Sequence, residues 1–320
     1  MSPTTNRKPV IVSGIQPTGP LHLGNYLGAL KNWVEIQNSG RYDCFFFVAD
    51  YHSLTENYDP EEKRGQVLEL ISDYLATGLD DKKSTIFVQS QVPECAELAW
   101  IFNTVTPMAE LERMTQFKDK ASRQIKNINM GLFDYPVLQA ADILLYHGEL
   151  VPVGQDQVQH VELTRDIARW FNNKYKVKYF PESKPLLTPT PKVMSLIEPE
   201  KKMSKSLGEK HWIGIDETPE NIAAKIGKAA STPAGIANLK SIYDSFARNM
   251  RGEFNPNKMA ETKKIISRGI ADHFADFRKK KAELIKNKKL VSAVMAEGQK
   301  KASIIAQKTL KEVKKIIGVM

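Results

Sequence analysis

The sequence has 320 residues, of which 42% are hydrophobic and 26% are charged, and its formal net charge is +9 at pH 7. A chain of this length can bury a large core and form two domains, and its apolar runs are too short to span a bilayer. The two cysteines, Cys44 and Cys95, offer neither a metal-ligand spacing nor a disulfide framework. Residues 1–9 lack the apolar stretch of a signal peptide, so we expect a cytoplasmic protein with no membrane segment.

The positive charge lies near the C-terminus. Residues 258–320 contain 17 Lys and Arg against 6 Asp and Glu, a net charge of +11, whereas residues 1–257 carry a net charge of −2. Because such a charge attracts polyanions, we expect the C-terminal part to bind nucleic acid. The candidate contacts are Lys279, Lys280, Lys281, Lys288 and Lys289. The alternative is that these side chains only solvate helices.

A glycine-rich turn follows the first apolar run. Val10–Val12 predicts a strand, and the spacing of Leu27, Leu30 and Val34 predicts a helix, with Ser13–Tyr26 (SGIQPTGPLHLGNY) between them. Glycines let the backbone turn sharply and approach a ligand closely. The unpaired N–H groups at the start of the helix favour an anion, and a nucleotide phosphate is the candidate. A turn of this kind can also be only a connection.

Three further apolar runs predict strands of a parallel sheet. Cys44–Ala49 and Thr85–Val88 flank a helix with an apolar stripe, and this order is typical of a βαβ unit. His52 follows the carboxyl end of the first of these strands, where open α/β sheets bind ligands. Leu150–Val153 is the next run, and residues 94–147 before it are predicted to form a mainly helical insertion. The sequence therefore predicts an α/β fold.

The helical segment Tyr135–Tyr146 contains a candidate specificity site. Tyr135, Gln139 and Asp142 share one face of the predicted helix, at i, i+4 and i+7. Asp142 has apolar neighbours, so its carboxylate must be paired or hydrogen-bonded. From the residues alone, Asp142 is either a structural aspartate or one that binds a ligand.

A lysine-rich segment, Lys202–Ser206 (KMSKS), follows the predicted sheet. Two ammonium groups on a mobile loop can stabilise negative charge that develops on a leaving group. Beyond this loop, apolar spacing predicts one helix after Thr218, another through Ile266–Phe277, and a long last helix from Val291 to Ile316. The C-terminal part is thus predicted to be all-helical.

Several of these segments resemble one enzyme family. His22–Asn25 (HLGN) resembles the His-Ile-Gly-His motif of class I aminoacyl-tRNA synthetases, and Lys202–Ser206 is identical to their KMSKS motif. Gly14–Gly19 (GIQPTG), Glu110–Lys120 (ELERMTQFKDK) and Tyr135–Tyr146 are similar to the tryptophan-specific members of that family. The resemblance covers residues 10–206 well and is loose beyond them.

The resemblance implies an architecture and a reaction. A Rossmann-type catalytic domain would span residues 1–206, with the helical insertion at about 94–147, and a helical anticodon-binding domain would span residues 207–320. The protein would be a homodimer that activates L-tryptophan with ATP and Mg²⁺ to tryptophanyl-adenylate. It would then transfer the tryptophanyl group to tRNA(Trp), releasing AMP and diphosphate. No structural metal is expected.

The resemblance also assigns roles to individual residues. His22, Lys202 and Lys205 are implied to act in catalysis. The implied ATP site comprises Gln16, Pro17, Thr18, Gly24, Asn25, Lys120, Gly154, Gln155, Asp156, Val193, Lys202, Met203, Ser204, Lys205 and Ser206. The implied tryptophan site comprises His52, Tyr135, Gln139, Asp142 and Gln157, with Asp142 accepting the indole N–H.

Two departures from the family pattern leave alternatives open. Gln139 stands where the family usually has methionine, and Gln155 where it usually has glutamate, so we expect altered packing in the pocket and altered charge beside the ribose. One alternative is the tyrosine-specific enzyme, which shares the fold and the motifs. The other is a nucleotidyltransferase or tRNA-binding paralogue without aminoacylation activity, although the complete KMSKS segment argues against it.

Overall fold

Five parallel strands form one sheet in the computed structural model, which describes residues 7–56, 58–115, 129–187 and 191–319. The strands are β1 (Val10–Ile15), β2 (Asp43–Val48), β3 (Ser84–Val88), β4 (Leu150–Val153) and β5 (Lys184–Leu187). Their order in the sheet is β3-β2-β1-β4-β5, so the direction of winding reverses between β1 and β4. The predicted α/β fold is confirmed. The edge strand β5 was not predicted, because a short, half-exposed segment with a proline has no clear strand pattern.

The helices connect and cover these strands. The first helix, α1, begins as an α-helical turn (Leu23–Asn25), continues through a π-helical turn (Tyr26–Leu30) and ends as an α-helix (Lys31–Asn38). The others are α2 (Pro60–Thr77), α3 (Glu94–Asn103), α4 (Met108–Glu112), α5 (Met130–Leu144), α6 (Val158–Tyr175), α7 (Pro219–Gly227), α8 (Pro233–Phe246), α9 (Met259–His273), α10 (Ala275–Lys286) and α11 (Lys288–Ile317). Within the described residues, no helix is long and apolar enough to cross a membrane.

Both faces of the sheet are buried, and β2 shows why its sequence is continuously apolar. Cys44, Phe46 and Val48 belong to the apolar cluster on one face, and Phe45 and Phe47 belong to the cluster on the other. Successive side chains of a strand point to opposite faces, so a strand covered on both sides needs an unbroken apolar run. The run predicted from the sequence is explained by this burial.

The last helix, α11, returns to the sheet and packs across β3. An added Cβ at Gly298 would lie 1.7 Å from the carbonyl oxygen of Ile86, so glycine is needed for this close approach. Ala302, Ala306 and Leu310 continue the contact within the apolar cluster that also contains β3. The C-terminal helix therefore protects an edge strand of the sheet. The division into domains at residue 206 stays a prediction.

One predicted helix is two helices in the structure. Apolar residues continue at helical spacing from Ile266 to Phe277, but α9 ends and α10 begins on either side of Phe274. The Arg278 guanidinium donates to the carbonyl oxygen of Ala271 at 2.6 Å, which satisfies one of the carbonyls at the end of α9. Apolar spacing continues through the break, so the pattern alone does not reveal it.

The prediction that Lys281 contacts nucleic acid is wrong. Its side chain is buried, and its Nζ lies 2.9 Å from Glu69 Oε1, 2.8 Å from Asp73 Oδ1 and 2.8 Å from Asp216 Oδ2. Lys281 follows Phe277 by four residues, so both side chains lie on the face of α10 that packs against the protein. The other four lysines of the predicted nucleic-acid contact, Lys279, Lys280, Lys288 and Lys289, are exposed.

Candidate active site

His22 closes the glycine-rich turn at the start of α1. Its Nδ1 accepts the backbone N–H of Gly24 at 3.0 Å, and its own N–H donates to Asn25 Oδ1 at 3.1 Å. Burial, followed by the charges of Lys205 and Lys202, lowers the pKa of His22 to about 4. The imidazole is therefore neutral near pH 7 and carries its proton on Nε2. His22 can donate one hydrogen bond to a ligand without adding a positive charge.

The two sequence motifs are joined by backbone hydrogen bonds. Leu23 N donates to Ile213 O, and Ile215 N donates to Leu21 O, both at 3.0 Å. These bonds pair the residues on either side of His22 with a segment that closely follows the KMSKS motif, although about 190 residues of chain separate them. The tertiary structure thus places both motifs beside the same turn.

A cavity of about 960 Å³ opens at the carboxyl ends of β1 and β4. This is the point where the strand order reverses, and open α/β sheets bind ligands there. The residues of the predicted ATP site that line the cavity are Gln16, Gly24, Asn25, Gly154, Gln155, Val193, Lys202 and Met203. All five residues of the predicted tryptophan site line it as well: His52, Tyr135, Gln139, Asp142 and Gln157. The volume is large enough for a nucleotide beside a small ligand.

The KMSKS segment continues a short antiparallel pairing beside the cavity. Ser195 N donates to Lys201 O at 2.8 Å, and Met203 N donates to Val193 O at 3.1 Å. Ser204 then caps a 3₁₀ turn, Lys205–Leu207, by accepting the N–H of Ser206. The turn ends at Gly208, whose φ of 105° is a conformation that favours glycine.

Lys205 lies over the glycine-rich turn. Its Nζ donates to the carbonyl oxygen of Thr18 at 2.7 Å, next to Pro17 in the sequence. Burial lowers the pKa of Lys205 to about 8, so the ammonium form still predominates near neutral pH. The structure therefore holds one lysine of the motif, Lys202, in the cavity wall and the other, Lys205, on the turn beside it.

Asp142 is a buried carboxylate in the cavity wall. Its Oδ2 lies 2.9 Å from His52 Nε2, and Gln89 Nε2 donates to Oδ1 at 2.9 Å and to Oδ2 at 2.8 Å. Burial raises the pKa of Asp142, and the hydrogen bonds from His52 and Gln89 oppose that rise. Three polar contacts therefore compensate the burial of this group.

Gln89 is a site residue that the sequence reasoning missed. It directly follows β3, just as Asp50 and His52 follow β2, so the rule that placed His52 at the ligand edge also applies to it. A second contact that the sequence did not reveal joins Tyr135 Oη to His160 Nε2 at 2.9 Å. Both His160 and Gln89 are buried behind residues of the cavity wall.

Two predicted ATP-site residues are not covered by the structure in full. Lys120 lies outside the described residues, and so does the side chain of Asp156. Among the residues that are described, no group of three or more His, Cys, Asp and Glu side chains is arranged to hold a metal ion.

The sequence and the structure were compared with known proteins. The sequence matches the family described as tRNA synthetases class I (W and Y) across residues 4–313. It is 42% identical to the tryptophan–tRNA ligase of Clostridium tetani, over 98% of this chain and 96% of that protein. It is also 42% identical to the tryptophan–tRNA ligase of Rickettsia conorii, over 97% and 99%.

Solved structures give the same result. The tryptophanyl-tRNA synthetase of Campylobacter jejuni, complexed with ADP and tryptophan, is 31% identical, with a TM-score of 0.84 over 97% of this chain and 100% of that one. The enzyme from Mycoplasma pneumoniae is 30% identical, with a TM-score of 0.85 over 98% of each chain.

Proposed function

Because the chain belongs to the class I tRNA synthetases for tryptophan and tyrosine, we propose that it is a tryptophan–tRNA ligase. It activates L-tryptophan with ATP and transfers the tryptophanyl group from the adenylate to tRNA(Trp). The observation that carries the choice of amino acid is the carboxylate of Asp142, which lines the same cavity as Gly24, Asn25 and Lys202. Relatives that are 42% identical over nearly the whole chain and carry the tryptophan name support it.

ATP binds along the turn that begins at Gln16. The Nε2 proton of His22 is a donor for its phosphates, because its Nδ1 already accepts the N–H of Gly24. Gln155, in place of the usual glutamate, offers an amide to the ribose hydroxyls, because an amide both donates and accepts hydrogen bonds. Mg²⁺ enters with the substrate as Mg-ATP, since the phosphates supply oxygen ligands of the kind it prefers.

Tryptophan binds in the part of the cavity that Tyr135, Gln139 and Asp142 line. The indole N–H donates to Asp142, and the ring contacts the apolar side chains around it. A site that is built to accept a hydrogen bond from its substrate rejects analogues that lack the donor. In this role Asp142 excludes phenylalanine, which matches the bulk of an aromatic side chain but has no N–H.

The chemistry needs no protein nucleophile. The carboxylate of tryptophan attacks the α-phosphorus of ATP, which forms the mixed anhydride and releases pyrophosphate. Lys202 and Lys205 stabilise the negative charge on the leaving group. To do so, Lys205 exchanges its bond to Thr18 O for a phosphate oxygen, and the turn that ends at Gly208 allows the movement. The terminal ribose of tRNA then takes the tryptophanyl group.

We also propose a homodimer that acts in the cytoplasm. Trp100, Met108 and Met130 expose 71%, 67% and 72% of their surface on three helices that lie between β3 and β4. Large apolar side chains that face water in one region favour a protein–protein contact. The free, buried thiols of Cys44 and Cys95 fit a reducing compartment.

Exchange of labelled pyrophosphate into ATP tests the proposal. The assay is run with each of the twenty amino acids. In a second assay, the aminoacylation of tRNA(Trp) and of tRNA(Tyr) is measured. We expect tryptophan alone to support fast exchange. Exchange with tyrosine would identify the tyrosine enzyme, and the absence of exchange with all twenty would identify a paralogue without aminoacylation activity.

A further inference from the structure

The carboxyl ends of β2 and β3 are locked together by Gln89. The side chain of Gln89 is 1% exposed, and its Oε1 accepts the backbone N–H of Tyr51 at 3.1 Å. Beside it, Ser90 N donates to Asp50 Oδ1 at 2.9 Å. Because Oε1 accepts a backbone N–H, the oxygen of the amide faces Tyr51 and its nitrogen, Nε2, faces Asp142.

The contacts with Asp142 distinguish its two oxygens. Oδ2 has two polar partners, His52 Nε2 and Gln89 Nε2, whereas among the described residues Oδ1 has Gln89 Nε2 alone. A carboxylate has about four acceptor positions, so Oδ1 keeps the larger capacity for a further donor. Asp142 lines the cavity and Gln89 does not, so Gln89 acts on Asp142 from behind.

We propose that Gln89 is a positioning residue for tryptophan, which fixes the carboxylate of Asp142 so that Oδ1 accepts the indole N–H. This inference rests on the proposed function. Gln89 does not touch the substrate; it acts through Asp142. Its two N–H contacts stabilise the ionised carboxylate, and its bond to Tyr51 N prevents the amide from turning over. Loss of the Gln89 amide should therefore impair recognition of the indole more than binding of ATP.

A matched control comes from Gln37, which is equally enclosed at 4% exposure. Its Oε1 accepts from Asp80 N at 2.8 Å and from Ser84 Oγ at 2.9 Å, and its Nε2 donates to Gly78 O at 3.2 Å. Gln37 binds the turn between α2 and β3; it does not line the cavity and has no hydrogen bond to Asp142. Replacing Gln37 therefore measures how the loss of a buried, hydrogen-bonded glutamine affects the enzyme when Asp142 is not involved.

The experiment compares Gln89→Met and Gln37→Met in pyrophosphate exchange. The substrates are tryptophan and β-(3-benzothienyl)alanine, in which sulfur replaces the indole N–H. We expect Gln89→Met to raise the KM for tryptophan by about 10- to 100-fold, because a hydrogen bond to a charged group is lost. The ratio of kcat/KM for tryptophan to kcat/KM for the sulfur analogue should fall by about tenfold or more. The KM for ATP should change by less than about twofold. Gln37→Met should keep the preference.

The outcomes separate the inference from the function it rests on. An unchanged preference in folded Gln89→Met would overturn the role of Gln89 and leave the proposed function intact. A wild-type protein that uses both substrates equally well would overturn the hydrogen bond between Asp142 and the indole itself.

A second variant, Gln89→Glu, covers the case in which Gln89→Met does not fold. The introduced carboxyl has nearly the same shape as the amide, and one of its oxygens can accept the N–H of Tyr51. In its protonated form it can also donate to Asp142. The titratable groups that act on or face Asp142 are His52, Asp50, Cys95 and Tyr146, and they are common to variant and wild type. We expect the ratio of kcat/KM for tryptophan, variant to wild type, to fall as pH rises, because the pair of carboxyls loses its shared proton. A ratio that stays constant with pH would overturn the inference.

Discussion

Two clusters of buried charge in this molecule are built differently. Asp142 is one carboxylate held by His52 and by the neutral amide of Gln89, and it borders the cavity. The other cluster has three carboxylates around the ammonium group of Lys281 and does not line that cavity. The contacts with His52 and Gln89 leave acceptor positions on the Asp142 carboxylate for a ligand. Lys281, which contacts three carboxylates, directs its positive charge to partners within the protein.

The second cluster joins distant parts of the chain. Lys281 lies on α10, Asp73 and Glu69 lie on α2, and Asp216 lies in the segment that pairs with the His22 turn. Lys281 Nζ donates hydrogen bonds to Glu69 and Asp216, and its contact with Asp73 is an ion pair. The cluster therefore joins α10 to α2 and to the segment that pairs with the residues on either side of His22.

Burial disfavours the charged form of the side chains in both clusters. It raises the pKa of Asp142, and it raises the pKa of Asp73 to about 7 despite the attraction of Lys281. Burial by itself lowers the pKa of Lys281, but Asp73 and Asp216 raise it above its ordinary value. The clusters differ in what removing one group should disturb: substrate recognition in the first and stability in the second.

The largest effect is expected from Asp142→Ala. The variant should lose about 10³-fold or more in kcat/KM for tryptophan, because the indole N–H and the donors of His52 and Gln89 are left without an acceptor. The KM for ATP should change little. Steady-state pyrophosphate exchange measures both constants. Tryptophan activation at an undiminished rate would show that Asp142 belongs with the structural cluster.

Lys281→Met should act mainly on stability. It leaves Glu69, Asp73 and Asp216 without their cation, and breaking a buried pair costs about 3–5 kcal/mol. We expect about 3 kcal/mol, because Glu69 and Asp216 are partly exposed to solvent. Urea denaturation measures it, with the exposed neighbour Lys280→Met as the control. Equal free energies of unfolding for the two variants would contradict the structural role of Lys281.

Asp73→Asn should change how stability depends on pH. The pKa of about 7 in the folded protein lies above the ordinary value of 3.8, so folding costs more as the carboxyl ionises. This cost is absent below about pH 4, grows as pH rises and is complete above about pH 7. The amide of asparagine does not ionise. The free energy of unfolding of the variant, relative to wild type, should therefore be higher at pH 8 than at pH 5, and a difference that is the same at both pH values would contradict the argument.

The smallest effect concerns the exposed lysines near Lys281. Replacing Lys279, Lys280, Lys288 and Lys289 by glutamine should weaken tRNA binding and reduce its salt dependence. Each lost phosphate contact lowers the magnitude of the log–log salt slope by roughly 0.7 to 0.9. Stability and adenylate formation should stay near wild type, in contrast to Lys281→Met. Filter binding at several salt concentrations tests this, and parallel slopes for variant and wild type would show that these lysines only solvate the helices.

The sequence by itself determined four of the five described strands of the sheet and the motifs. Continuous apolar runs such as Cys44–Ala49 predict strands buried on both faces, and the KMSKS segment and the Asp142 helix are recognisable from residue identity alone. These signals are local, because the side-chain period of a strand and the spacing of a helix face involve only near neighbours in the chain. The α/β fold and the family followed from them.

Tertiary structure alone decided which charged groups meet. Lys281 and Glu69 are separated by 212 positions, and Gln89 and Asp142 by 53, so no local pattern pairs them. In the sequence, Lys281 is only one of many basic residues. It is buried and paired because the fold places three carboxylates around it. Burial and the identity of the partner, both properties of the folded chain, make one carboxylate a candidate ligand for tryptophan and another part of the support for the helices.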